Sequence, residues 1–279
     1  MDVFVSVDME GIAGVATMRQ ITRGTDDYPK ARELQTQEAN AAVAGAFDGG
    51  ATRVMVSDSH GDMGNLIPDL LDPRAEMVIG TPKVPHSMMT GIGPEFACAM
   101  FVGYHAGGGT AGAIMDHTYT GTFFDVRVNG ETWNETHLNA ALAGTYGVPV
   151  ALVTGDDKCC EQAVARLPGV RTVAVKQGIG RHVAANLSPV RAREEIRRAA
   201  EEAVRASGSL EPYRPAPPFA MEVDFVSTST TELAALAPGA ERTAPRTLRF
   251  ETEDFRELMR TFLAWMYLAR HVAPVSRID

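Results

Sequence analysis

Val3-Phe4-Val5-Ser6-Val7-Asp8-Met9-Glu10-Gly11 begins as a run apolar enough for a buried central strand and ends directly in two carboxylates. In extended backbone, side chains two apart share a face, so Asp8 and Glu10 can point at one object while Met9 points away. Like charges aimed at one place repel unless a cation lies between them or one is protonated. Gly11 allows a sharp turn close to that object. Taken alone, the pair reads equally as a strand end carrying two solvated acids.

The pattern recurs downstream. Val56-Ser57-Asp58-Ser59-His60-Gly61-Asp62 follows a second apolar run, and His105 ends a third, Phe101-Val102-Gly103-Tyr104. Short β-branched runs alternate with amphipathic stretches, which predicts an α/β fold: a mostly parallel central sheet flanked by helices, with a smaller C-terminal α+β portion. Strands are expected at Val3–Val7, Arg53–Val56, Cys98–Gly103, Phe123–Val128, Val150–Val153, Thr172–Val175 and Met221–Val226. Helices are expected at Ala31–Phe47, at 188–206 with Ser188 as N-cap and Pro189 at the first helical position, and at Asp254–Val272. Four prolines within residues 207–218 mark an extended connector. The expected organisation is therefore a catalytic domain over 1–206, the connector, and a C-terminal portion over 219–279 that packs on the first or serves in oligomerisation.

In open α/β sheets, ligands bind in the crevice beyond the carboxyl ends of the strands. If the three strands are parallel neighbours, Asp8, Glu10, His60 and His105 converge there, and mixed carboxylate and imidazole donors suit zinc, with manganese or cobalt as options. Asn134-Glu135-Thr136-His137-Leu138-Asn139 begins a helix, with Glu135 able to face the crevice and Asn139 one turn on along the same side. A first-turn glutamate that simply favours the helix dipole is the competing reading. His117, in Met115-Asp116-His117, follows Gly107-Gly108-Gly109, a candidate mobile loop, and is a reasonable acid/base; a plain loop histidine is the competing reading, which local sequence by itself favours.

Composition narrows the function classes. Hydrophobic residues make up 45% of the 279 and the net charge is −9, so neither nucleic acid nor an anionic membrane is an expected partner. No apolar stretch approaches the ~18 residues that span a bilayer, and no signal peptide is visible. Three cysteines, two of them adjacent at Cys159 and Cys160, make a poor disulfide framework and point to a reducing cytoplasm. Neither a glycine-rich dinucleotide fingerprint nor a P-loop is present. Asp58 and Asp62 could orient His60 or be exposed turn acids. Lys176 and Arg181 could meet a substrate carboxylate or be ordinary charged residues. His137, His182 and His271 read as packing or surface.

SVDMEG, SDSHGDMGN, GYHAG, MDH, NETHLNA and VTGDD, in this order from Val3 to about Pro189, together resemble the M55 peptidases, the zinc D-aminopeptidases. The resemblance implies two zinc ions per subunit held by Asp8, Glu10, His60, His105 and Glu135, with Asp8 bridging, and His117 as the catalytic histidine. It further implies short peptide substrates with N-terminal D-residues, D-alanine preferred, and a decameric ring of two stacked pentamers. Two departures stand out: the glycine-rich loop before His117 is a residue longer than the family pattern, and His86 occupies a position where an aromatic or apolar side chain is expected, open to a role in the specificity pocket or to that of a plain loop histidine. The rival readings are another dinuclear hydrolase, such as a phosphoesterase or a biosynthetic amidase, and a non-catalytic metal- or peptide-binding protein of the same fold.

Overall fold

A computed structural model of the protein describes residues 1–271. Along the chain lie β1 (Asp2–Val7), α1 (Met18–Ile21), α2 (Tyr28–Asp48), β2 (Arg53–Asp58), β3 (Glu76–Val78), β4 (Phe96–Tyr104), β5 (Phe123–Val128) and β6 (Glu131–Thr132). They are followed by α3 (Glu135–Thr145), β7 (Val150–Asp156), α4 (Asp157–Arg166), β8 (Arg171–Gly180), β9 (Val183–Asn186) and α5 (Pro189–Ala206). The last elements are β10 (Phe219–Phe225), α6 (Thr228–Ala234), β11 (Glu241–Ala244), β12 (Thr247–Thr252) and α7 (Phe255–Arg270). The helix expected to reach Val272 is α7; Val272 and residues 273–279 lie outside the described residues.

Seven strands form the main sheet in the order β3-β2-β1-β4-β7-β8-β9, all parallel except the β8–β9 pair. β1 is central, and its residues Val3–Val7 are fully buried, as expected of a parallel strand covered on both faces. α2 and α5 cover one face, where Val3, Val5, Val7, Ala42, Val43, Ile196 and Ala200 share a core. On the other face Phe4, Phe101 and Tyr104 pack with Leu138 of α3 and Cys159 of α4.

The second sheet, order β11-β12-β10-β5-β6, is antiparallel. Phe219, Met221, Val223 and Phe225 of β10 are buried while the residues between them are partly exposed, the alternation of a sheet wetted on one side. Its strands do not all come from the C-terminal portion: β5 and β6 precede the connector and pair into the same sheet. The physical reason is apolar matching, since Phe123, Val126 and Val128 of β5 stand opposite Phe225, Val223 and Met221 and bury with Phe262 and Trp265 of α7 in the core shared with the main sheet. Within the connector, Arg214 Nε donates to the Gly144 carbonyl at 2.9 Å, which lays this stretch along the end of α3. Among the described residues no helix is long and apolar enough to cross a membrane.

Candidate metal centre

Because β1 lies between β2 and β4 in parallel register, Val7 pairs with Asp58 on one side and Val102 on the other, so three strand ends open at one place. Backbone bonds carry the pairing past the strands: Ser59 N–H donates to the Val7 carbonyl at 2.8 Å, Asp8 N–H to Val102 at 2.8 Å and Gly11 N–H to Gly103 at 2.8 Å. The turn after β1 presses on β4 so closely that a Cβ on Gly11 would lie 2.0 Å from the Tyr104 carbonyl oxygen. Gly103 answers with a φ of +70°, a conformation that costs side-chain-bearing residues energy.

The structure brings together Asp8, Glu10, His60, His105, His117 and Glu135. The first four and Glu135 are buried and His117 is partly buried. Their donor atoms form three groups of metal-binding spacing: Asp8–Glu10–His60, Asp8–His105–Glu135, and Glu10–His105–His117. Asp8 belongs to the first two, with Oδ1 3.4 Å from His60 Nδ1 and Oδ2 3.5 Å from His105 Nε2. Glu10 Oε2 is 2.9 Å from His60 Nδ1, and Glu135 Oε1 is 3.4 Å from His105 Nε2. Glu135 reaches the group because Asn134 caps α3, its side chain accepting from the His137 N–H at 2.9 Å and setting where the first turn begins.

Each imidazole is tied at its other nitrogen to a backbone carbonyl: His60 Nε2 to Ile21 at 2.9 Å, His105 Nδ1 to Ala106 at 2.9 Å, His117 Nδ1 to Met115 at 2.8 Å. A carbonyl only accepts, so the tied nitrogen carries the proton, and in a neutral ring the lone pair then faces the carboxylates. Lone pairs and anions facing one another at these distances call for protons or cations between them. His105 Nε2 is buried and has no hydrogen-bond partner among the described residues. Backbone carbonyls fixing ring orientation in this way are the usual second layer of a metal site, and the nitrogen and oxygen donor set fits a first-row divalent ion.

The electrostatics agree. Burial pushes the Asp8 carboxyl well above its ordinary range, and Glu10 beside it adds to the rise. Burial works against ionised Glu10 and Glu135 as well, but His60 facing the one and His105 facing the other outweigh it and hold both below the usual range. Burial also penalises charged imidazole, yet Glu10 holds His60, and Glu135 holds His105, well above the ordinary histidine value. The raised imidazoles, like the raised Asp8 carboxyl, express how strongly this buried cluster of carboxylates favours positive charge among its members. His117 goes the other way, kept below its ordinary value by burial and by His105, on which it stacks with ring centroids 4.1 Å apart.

Asp58 accepts from the N–H groups of Asn65 and Leu66 at 2.5 and 2.8 Å and so shapes the turn carrying His60, whereas Asp62 is exposed and pairs with Arg23. Lys176 is buried on β8, and its Nζ donates to the carbonyls of Glu10, at 2.6 Å, and Val15; it braces the Asp8–Glu10 turn instead of meeting a ligand. Arg181 pairs with Asp116 at 2.8 Å, and Asp116 also accepts from Gly109 N–H at 2.7 Å. The glycine-rich segment before His117 is thereby stapled to the β8–β9 turn. His86 bonds to the Tyr146 hydroxyl at 2.9 Å, its ring edge-on to that ring, and does not line the cavity at the centre, although Ser87 beside it does. His137 is buried in the α3 capping box, with burial driving its pKa down to about 4. A cavity of about 150 Å³ opens onto Asp8, Glu10, His60, His117 and Glu135.

Sequence reasoning had no signal for Ile21 as the carbonyl that orients His60, nor for α7 as a wall of this cavity, where Met266, Tyr267 and Arg270 stand. Nothing local to either stretch points at the centre.

Residues 1–264 match the sequence model of the M55 peptidases, described as D-aminopeptidase. A D-aminopeptidase of Bacillus subtilis (strain 168) is 36% identical over 273 residues, which cover 96% of this chain and 98% of that protein. Among solved structures, the Zn-dependent D-aminopeptidase DppA from Bacillus subtilis, described as a self-compartmentalizing protease, superposes with a TM-score of 0.94 at 34% identity, over 98% of this chain and 99% of that one.

Proposed function

The chain belongs to the M55 peptidases, the D-aminopeptidase family, and we propose that it removes N-terminal D-residues, D-alanine above all, from short peptides at a two-zinc centre. Asp8, Glu10 and His60 would hold one ion and Asp8, His105 and Glu135 the other. The observation that carries this reading is that two groups of metal-binding spacing share Asp8, whose two oxygens face different imidazoles. Zinc at such a centre supplies positive charge that polarises a carbonyl and acidifies water.

The chain's own residues supply the rest. Burial and His105 keep His117 neutral near pH 7, and the tie from Nδ1 to Met115 turns Nε2 toward Glu135 in the cavity. His117 can then take a proton from the attacking water and deliver it to the departing amine, the general acid/base role. The D-alanine preference rests on family membership alone.

By analogy with the self-compartmentalizing relative, the chain would act as a homo-oligomer, a decamer of stacked pentamers in the cytoplasm. Phe124, Ile179 and Leu236, each about two-thirds or more exposed, are apolar surface such an assembly would cover, and the three cysteines are free and buried, as a reducing compartment permits.

Metal analysis with a panel of D- and L-dipeptides tests the proposal. The expected outcome is two zinc ions per chain and turnover of D-Ala-D-Ala well ahead of its L-counterpart. His117→Ala should lose turnover and keep metal, and Glu135→Ala should lose metal. Full activity in the His117 variant, or turnover of a phosphate ester in place of peptides, would overturn the assignment.

A further inference from the structure

Arg270 is the last residue of α7 and lines the same cavity as Asp8, Glu10, Glu135 and His117. Its Nη2 donates to the Tyr119 carbonyl at 2.7 Å, and Tyr119 N–H in turn donates to Glu135 Oε1 at 2.6 Å. The guanidinium therefore sits two hydrogen bonds from the centre. The Tyr119 bond occupies one of its five N–H donors, and the side chain remains exposed. Ser87, which also lines the cavity, is fully buried, and its hydroxyl has no partner among the described residues. The cavity thus combines an unmet hydrogen-bonding group and a cation with a wall of three carboxylates.

A dipeptide imposes a geometric demand that this arrangement meets. Its terminal carboxylate lies one residue beyond the scissile bond, about 3.8 Å along the chain, so whatever receives it must line the cavity of the metal centre. Asp8, Glu10 and Glu135 are acceptors that the metal centre would engage, so a free carboxylate taken out of water beside them needs a hydrogen-bonding or cationic partner of its own in the cavity wall. A guanidinium presents a planar fork that matches a carboxylate with two parallel N–H bonds.

We propose that Arg270 is a specificity-determining residue that binds the C-terminal carboxylate of the substrate, so that free-acid dipeptides are chosen over their amides. This rests on the peptidase reading above. It assigns α7, and with it the C-terminal part of the chain, a direct part in substrate choice.

The test compares D-Ala-D-Ala with D-Ala-D-Ala amide on wild type, Arg270→Gln and Arg270→Lys, all zinc-loaded. Arg270→Gln is expected to lower kcat/KM for the free acid about tenfold to a hundredfold, the range for a lost charged hydrogen bond, mainly through KM. Turnover of the amide should stay within about twofold to threefold of wild type, and Arg270→Lys should recover part of the loss. Equal losses on acid and amide would mean that Arg270 only braces Tyr119 and Glu135, and would overturn the proposal, as would no loss on either. If wild type cleaves neither peptide, the peptidase reading has failed. Calorimetric binding of the two peptides in a His117→Ala background, with and without Arg270→Gln, then still decides: a preference for the free acid that vanishes with Arg270 supports the proposal, and equal affinities overturn it.

Discussion

Gly11→Ala adds one methyl group where the turn after β1 touches β4. The added carbon would lie 2.0 Å from the Tyr104 carbonyl oxygen, 2.5 Å from the Gly103 carbonyl carbon and 2.6 Å from the Gly103 oxygen, where ordinary contact begins at 3.4 Å. Relief therefore requires a displacement of about 1.4 Å, the difference between 3.4 and 2.0 Å. Every atom in the way is backbone at the end of a central strand, so no rotamer change can absorb it. Glu10 is the residue before Gly11 and His105 the residue after Tyr104, so the shift must separate candidate metal donors that now lie within 4.8 Å of each other. Overpacking of this kind costs about 1–3 kcal/mol, which a chain of this size should survive folded with a Tm lower by a few degrees per kcal/mol. Function should suffer far more, because a misplacement of about 1 Å can cost a hundredfold in rate. The assay is zinc content after dialysis against limiting zinc, kcat/KM on a D-dipeptide, and the melting temperature, all on one preparation. A variant that keeps full metal occupancy and wild-type kcat/KM would refute the close approach of the two segments, and with it the account of how the site is assembled.

Two further outcomes follow from the electrostatics. Glu10 and Glu135 outweigh burial and hold His60 and His105 well above the ordinary histidine pKa, whereas a metal held as proposed would need both rings neutral, so its binding would release protons and its affinity would rise with pH. Zinc retention measured from pH 8 down to pH 5 should fall by about a decade in affinity per pH unit for each ring that must give up a proton; occupancy independent of pH would count against both as ligands. Lys176→Met leaves the buried carbonyls of Glu10 and Val15 without their donor and removes the cation near the buried Glu38 carboxyl. A loss of about 1–3 kcal/mol in denaturant unfolding, the cost of leaving a buried acceptor unsatisfied, with weakened zinc binding, is expected; unchanged stability would mean that Lys176 does not brace the turn.

Much of the candidate site was legible because it is built where strands end. Apolar runs stopping at Asp8, His60 and His105 are local patterns, and side-chain alternation sends Asp8 and Glu10 to one side without reference to the rest of the chain. The helix signals at Ser188 and Pro189 are equally local and correspond to α5. Less legible was what holds the donors. Lys176 reads as a charged residue among others, yet it reaches a carbonyl 166 positions away. Asp58 and Asp62 look alike in sequence, and only burial separates the one that shapes the His60 turn from the one paired with Arg23 at the surface. The second sheet was only partly visible, since the apolar alternation of Phe123–Val128 marks a strand but not its partner.

By itself the sequence marked the longer strands and helices and the residue types that stand at three strand ends, because periodicity, caps and turn residues act over a few neighbouring positions; short elements such as β3, β6, β9 and β11 left no such local mark. Tertiary structure alone decided that β1 lies between β2 and β4, that β5 joins β10, that the Ile21 carbonyl aims His60, and that Arg270 arrives at the cavity from the far end of the chain. Those choices depend on which apolar faces bury one another across the whole molecule, a long-range competition that no short window of residues contains.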